Sequence, residues 1–143
     1  MTVARILGDK GTAIFSIGPD GSLADAARTL SERRIGAVII TAPDGSLAGI
    51  LSERDIVRAI ATNGAGALND TVGQHMTREV VTCGRAISID QVMAMMTNGK
   101  FRHVPVVEDN KIVGVISIGD VVKHRVAAME AESEALKNYI ASS

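Results

Sequence analysis

Two residue pairs at identical spacing could do chemistry: Ser52 with Asp55, and Ser117 with Asp120. Each pair follows an apolar run that contains a glycine, Gly49 or Gly114, and opens a stretch of helical character. A helix N-terminus presents unpaired N–H groups and partial positive charge, which suits a phosphate. A carboxylate held there can also accept hydrogen bonds from a ribose diol, as in dinucleotide sites. The same spacing is equally a capping box, in which the serine and the acid satisfy backbone donors of the first turn. Ser22 with Asp25 and Ser88 with Gln91 repeat it at two further helix starts. Spacing alone therefore favours caps and leaves a ligand grip open.

A second group is Lys100–Phe101–Arg102–His103. At the matching place earlier in the chain stand Arg34–Ile35–Gly36–Ala37. Two small residues are thus replaced by a planar guanidinium fork and by an imidazole whose charge adjusts near neutral pH, both suited to phosphate. A solvated basic strand edge fits the same residues. Met76, Met93, Met95 and Met96 lie among apolar neighbours and read as core. His75, His103 and His124 have no second ligand at metal spacing, so no metal site is expected. Cys83 falls in an expected strand with nothing nearby to lower its pKa. There is no strong Gly-rich phosphate loop and no nucleophile, base and orienting-group set, so catalysis is not expected.

The elements that must position these residues occur twice. Ser22–Ala27 through Ile35–Ile40 matches Ser88–Met93 through Phe101–Val106 at an offset of 66. After one residue is lost at a turn, Leu47–Asp55 matches Ile112–Asp120 at an offset of 65. Such duplication implies two supersecondary units that bury their faces against each other, with function in the cleft between them. Each unit reads strand, helix, strand, turn, strand, helix. In the first, Ala13 to Ile17 is an expected strand, and Leu23, Ala26, Ala27 and Leu30 recur at i, i+3, i+4 and i+7. In the second the same helical face is Ile89, Val92, Met93 and Met96. Gly36 to Thr41 and Ser46 to Leu51 form an expected hairpin around Pro43–Asp44–Gly45, copied as Arg102 to Val107 and Lys111 to Ile116. Pro105 cannot donate to a ladder, so its position should need no donor. Thr2 to Leu7 and Thr71 to Met76 are expected helical lead-ins, and Asn63 to Ala67 a flexible loop. The last helix is expected to run from Asp120 to about Ile140, with Val122, Val126, Met129, Leu136 and Ile140 along one side. That stripe either folds back on its own domain or meets a second copy of the chain, and a homodimer is the working expectation.

Composition excludes several classes. The chain has 143 residues, 46% apolar and 22% charged, enough for a core and unlike a disordered segment. Net charge is −1 and only three residues are aromatic, so neither nucleic acid nor an anionic membrane is an expected partner. A single cysteine fits a reducing compartment, and a cytoplasmic location without a leader is expected. The nearly uncharged run from Ile35 to Leu51 is broken by the Pro–Asp–Gly turn and is no membrane span.

With these residues in place, the chain resembles a tandem pair of CBS (cystathionine β-synthase) domains. The resemblance is carried by Gly36–Ile40 and Gly49–Asp55 in repeat 1, and by Met76–Thr82, Arg102–Val107 and Gly114–Asp120 in repeat 2. It implies an α/β fold of two pseudo-symmetric βαββα repeats packed together, with a C-terminal helical extension. The expected segments are residues 1–69 for repeat 1 with its lead-in, 70–126 for repeat 2 with its lead-in, and 127–143 for the helical tail. It further implies a non-catalytic regulatory module, similar to small bacterial proteins made of one such pair. The implied ligands are adenosine compounds, AMP foremost, with ADP, ATP, an NAD-type dinucleotide and S-adenosylmethionine as other members, and a downstream protein target that the residues do not name. Carried over by residue, Asp55 and Asp120 would hold ribose hydroxyls, and Ser52 and Ser117 would touch ribose or phosphate. Arg102 and His103, with Lys100 and Arg54 nearby, would neutralise phosphate. Ser16 and Thr82 would line the base or ribose side, and the backbone at Gly36 and Ala37 would meet adenine. Repeat 1 departs from this pattern because it lacks basic residues at Gly36 and Ala37, so a phosphate site there would need side chains lent by repeat 2. A ligand-free dimer scaffold is the alternative.

Overall fold

Alternating helical and β-rich periods fold, in the computed structural model of residues 1–142, into the following order. Helix α1 (Val3–Lys10) precedes repeat 1, which comprises β1 (Ser16–Ile17), α2 (Leu23–Arg33), β2 (Ala37–Thr41), β3 (Leu47–Ser52) and α3 (Glu53–Asn63). A 3-10 turn (Ala65–Asn69) and the short helix α4 (Val72–His75) lead to repeat 2. Repeat 2 comprises α5 (Ile89–Gly99), β4 (His103–Glu108), β5 (Lys111–Ser117) and α6 (Ile118–Ser142). Both hairpins form as the sequence predicts, β2 against β3 and β4 against β5. Both carry a register shift at the same place, between Ile40 and Thr41 and between Val106 and Val107.

The first strands differ from expectation. In repeat 1 only Ser16–Ile17 is a strand, parallel to β2, with the Ile39 amide donating to the Phe15 carbonyl. In repeat 2 the strand expected around Thr82 is reduced to one bridge between Cys83 and Val106. The reason is Pro105. It occupies the place of Ile39 and has no N–H to give to Val81, the counterpart of Phe15. The neighbouring bonds survive: the Cys83 amide donates to the Pro105 carbonyl and the Val107 amide to the Cys83 carbonyl. The expected loop after α3 is also corrected. It winds into the 3-10 turn and buries Ala67 against α2 and α3.

Each lead-in helix completes the core of the other repeat. Val3, Ile6 and Leu7 of α1 are buried with Ile89, Val92, Met96, Val104, Val106, Ile116 and Val121 of repeat 2. Val72 and Met76 are buried with Leu23, Ala26, Leu30, Val38, Ile40, Leu51 and Ile56 of repeat 1. Two glycines permit the close approach. A Cβ on Gly49 would lie 2.6 Å from the Thr77 carbonyl oxygen, and one on Gly114 would lie 2.5 Å from a Leu7 methyl. Exchange of the lead-ins ties the halves together through their apolar interiors, the dominant stabilising term. Helix α6 does not fold back. Val122, Val126, Met129, Leu136 and Ile140 are exposed along it.

Candidate functional site

Strands β3 and β5 end at Ser52 and Ser117, and a helix starts at once after each. Both helix starts are capped. The Asp55 amide donates to Ser52 Oγ at 3.4 Å, and Asp55 Oδ2 accepts from the Ser52 amide at 2.8 Å. The Asp120 amide donates to Ser117 Oγ at 3.1 Å, and Asp120 Oδ2 accepts from the Ser117 amide at 2.9 Å. The capping reading of the sequence is therefore realised at both places. Ser88 caps α5 with the same reciprocal box, whereas at α2 only the Asp25 amide donates to Ser22 Oγ.

The two aspartates differ in what else they hold. Asp55 is 8% exposed. Its Oδ2 also accepts from Ser52 Oγ, and its Oδ1 accepts from Thr77 Oγ1 at 3.3 Å and faces Arg58 at 3.7 Å. Both of its oxygens are thus occupied by the protein. Asp120 Oδ2 accepts from the ammonium of Lys10 at 2.7 Å, and that ammonium also donates to the Val115 carbonyl at 2.9 Å. Asp120 Oδ1 has no hydrogen-bond partner among the described residues. Partial burial pushes the Asp120 carboxyl up, but the bonds from Lys10 and Ser117 outweigh it and hold its pKa below the usual carboxylate value.

The β4 edge carries basic residues, of which His103 is within electrostatic reach of Asp120. Lys100 closes α5 in the left-handed conformation, with φ 57°, and its side chain is exposed. Its carbonyl accepts from Arg54 Nη1 at 3.4 Å, which joins the two repeats. Arg102 is exposed, and its guanidinium has no hydrogen-bond partner among the described residues. His103 is half-buried, and its ring fills the space over Gly36, where a Cβ would lie 3.2 Å from Cε1 and Nε2. Burial, then the positive charge of Lys10, lowers the His103 pKa against the opposing pull of Asp120 and Glu53. Repeat 2 thus lends an imidazole to the small-residue edge of repeat 1. Gly36 and Arg102 are also equivalent in their backbone roles: the Glu53 amide donates to the Gly36 carbonyl, and the Ile118 amide to the Arg102 carbonyl.

The structure brings Gly36, Arg102, His103, Ser117 and Asp120 into one neighbourhood, with Ala37 beside Gly36 on β2. Ser16 and Thr82 are exposed, and neither side chain is bonded to this group. Ser52 and Asp55 close on each other and on Thr77. Sequence reasoning missed Lys10 and Thr77. Lys10 is 110 residues from Asp120, beyond the reach of any local pattern. Among the described residues, no group of three or more His, Cys, Asp or Glu side chains is arranged to hold a metal ion. Likewise, no helix there is long and apolar enough to cross a membrane. Cys83 is buried, and burial followed by the charge of Glu108 pushes its thiol up to about 11.

A βαββα repeat and a copy whose first strand is a single bridge, with exchanged lead-ins and capped acidic helix starts, define a paired α/β module. The CBS domain family profile matches residues 11–62 and 72–127. The chain belongs to the CBS domain family and carries two CBS domains. A CBS-domain containing protein from Agrobacterium tumefaciens, ATU1752, has a similar structure: 48% identity, TM-score 0.85, over 87% of this chain and 92% of that one. The CBS domain pair of protein MJ0100, solved in complex with 5′-methylthioadenosine and S-adenosyl-L-methionine, is 27% identical with a TM-score of 0.80, over 90% of this chain and 98% of that one. A mitochondrial CBS domain-containing protein of Arabidopsis thaliana, CBSX3, is 34% identical over 85% of this chain. The chain spans 61% of that relative's length.

Proposed function

We propose that this chain is a non-catalytic sensor that binds the adenosine part of a nucleotide, AMP foremost, at Asp120 and the basic edge of β4. The observation that carries the reading is the chemistry gathered there. A half-buried carboxylate has one unbonded oxygen, a capped helix start adjoins it, and Lys10, Arg102 and His103 supply positive or protonatable groups around it. The carboxylate suits a ribose diol, and the cations suit a phosphate. The adenosine ligands of MJ0100 support the ligand class. Arg102, His103 and Ser117 are the phosphate and ribose contacts in this reading, with Lys100 and Arg54 at the rim. Gly36 and Ala37 offer backbone to the adenine, and Ser16 and Thr82 line its approach. The Asp55 side binds weakly, because Ser52, Thr77 and Arg58 already occupy that carboxylate.

The sensor acts as a homodimer. Val57 and Ile60 on α3 and Val122, Val126 and Met129 on α6 are exposed large apolar residues, with Val57 and Val122 at equivalent places in the repeats. A second copy covering those faces would remove that surface from water. The occupied state reaches a downstream protein in a reducing, cytoplasmic setting. Ligand can shift the dimer between states only by its differential affinity for them.

A ligand-free scaffold is the second reading, favoured by the completeness of both capping boxes. Calorimetric titration with AMP, ADP, ATP, NAD and S-adenosylmethionine separates the two. Saturable heat with AMP that is lost in Asp120→Ala supports the sensor, and flat titrations with every compound support the scaffold.

A further inference from the structure

The donors on the two aspartates come from matching lead-ins but differ in kind. On the repeat 1 side, Thr77 gives its backbone N–H to the Ile50 carbonyl at 2.9 Å and its hydroxyl to Asp55. On the repeat 2 side, the equivalent acceptors are the Val115 carbonyl and Asp120, and one ammonium, that of Lys10, serves both. Thr77 is fixed by its backbone. Lys10 is fixed only at its root. Gly11 closes α1 with its amide on the Leu7 carbonyl, Leu7 packs against Gly114, and Asp9 is held by His124 Nε2 at 3.0 Å. Beyond that root, a four-carbon stem carries the ammonium, and the lysine side chain is 36% exposed where Asp120 is 21% exposed.

We propose that Lys10 is a removable plug on Asp120 that makes this cleft selective for phosphorylated over neutral adenosine ligands. A ribose diol that grips both carboxylate oxygens finds Oδ1 open but must displace the ammonium from Oδ2. A neutral nucleoside gives the displaced ammonium no new anion, so its attraction to Asp120 is lost without replacement. A 5′-phosphate supplies that partner within reach of the same stem, beside Arg102. The ammonium moves from carboxylate to phosphate while the carboxylate accepts from the sugar hydroxyls, so neither charged group is left without a hydrogen-bond partner. A cationic sulfonium ligand meets the opposite situation and is repelled. The inference rests on the adenosine-binding reading above and adds to it the residue that reads ligand charge.

The test is calorimetric titration of AMP and of adenosine against the wild type, Lys10→Met and Lys10→Arg at one salt concentration, with circular dichroism to verify the fold of each. The wild type should prefer AMP over adenosine by more than tenfold. Lys10→Met should cut the AMP-to-adenosine preference about tenfold, because only AMP loses a charge-assisted hydrogen bond with the lysine. Adenosine binding should hold or tighten, because Asp120 no longer needs releasing. Lys10→Arg should keep the preference. An AMP-to-adenosine ratio unchanged in Lys10→Met, or equal weakening of both ligands, overturns the plug and leaves the adenosine reading standing. Failure of both ligands to bind the folded wild type overturns both.

Discussion

Replacing Asp120 by alanine has two consequences that can be read separately. The first is on the empty protein. The substitution removes the acceptor for the Ser117 amide and the partner of Lys10. Loss of such a cap costs about 1 kcal/mol, and a half-exposed ion pair adds at most about 1 kcal/mol after solvent screening. With an unfolding entropy of roughly 2.1 cal/mol/K per residue, a chain of 143 residues converts that sum into a Tm fall of about 3–7 °C. The second consequence is on the ligand response. Ligand at a hundred times Kd stabilises by about 2.7 kcal/mol, a rise of about 9 °C on the same slope. Scanning fluorimetry with and without AMP reads both. Asp120→Ala should lower the baseline and abolish most of the rise. Asp120→Asn should lower the baseline less, since it keeps an oxygen for the Ser117 amide, and should still lose much of the rise. A lowered baseline with the full AMP rise intact in both variants would refute the sugar grip and leave Asp120 as a cap only.

Other expectations follow from the packing and the titrating groups. Gly49→Ala should destabilise more than Gly114→Ala, by thermal unfolding, because its Cβ meets the Thr77 carbonyl while that of Gly114 meets the adaptable Leu7 side chain. Equal losses would refute the backbone clash. His103 has a lowered pKa in the fold, so the unfolded chain takes up a proton that the folded chain refuses. Its contribution is full above the ordinary imidazole value near 6.5 and declines as pH falls toward the folded value. Denaturant titrations from pH 7.5 to 5 should therefore show a shallower loss of stability in His103→Gln than in the wild type, and parallel curves would contradict this. Cys83, buried with its pKa raised to about 11, should react with a disulfide reagent at pH 8 only as fast as the protein opens. Immediate labelling would refute its burial.

Much of the architecture was legible because it is local. The i, i+3, i+4 faces of α2 and α5, both hairpins and all four Ser-led caps depend on residues within a few positions of one another. The duplication then fixed two equivalent halves. What was not legible is long-range. No period in Thr2–Leu7 says that α1 will bury Ile6 and Leu7 in the second repeat rather than the first. The weakness of the strand around Thr82 could have been read from Pro105 standing at the place of Ile39, since the missing N–H faces that neighbour. Of the candidate site, the Asp120, Arg102 and His103 cluster was readable from the asymmetry between the repeats. The unequal engagement of Asp55 and Asp120 was not, because Thr77 and Lys10 reach them across distant stretches of chain. The apolar stripe of α6 was visible in sequence, and the structure leaves it uncovered.

The most direct measurement is a crystal structure of the full chain grown with AMP. The account predicts both ribose hydroxyls at Asp120, at about 2.7 Å from its carboxylate oxygens, with the phosphate beside Arg102 and His103. AMP seated elsewhere, or a cleft without AMP and with Asp120 still closed on Ser117 and Lys10 at saturating nucleotide, would contradict it.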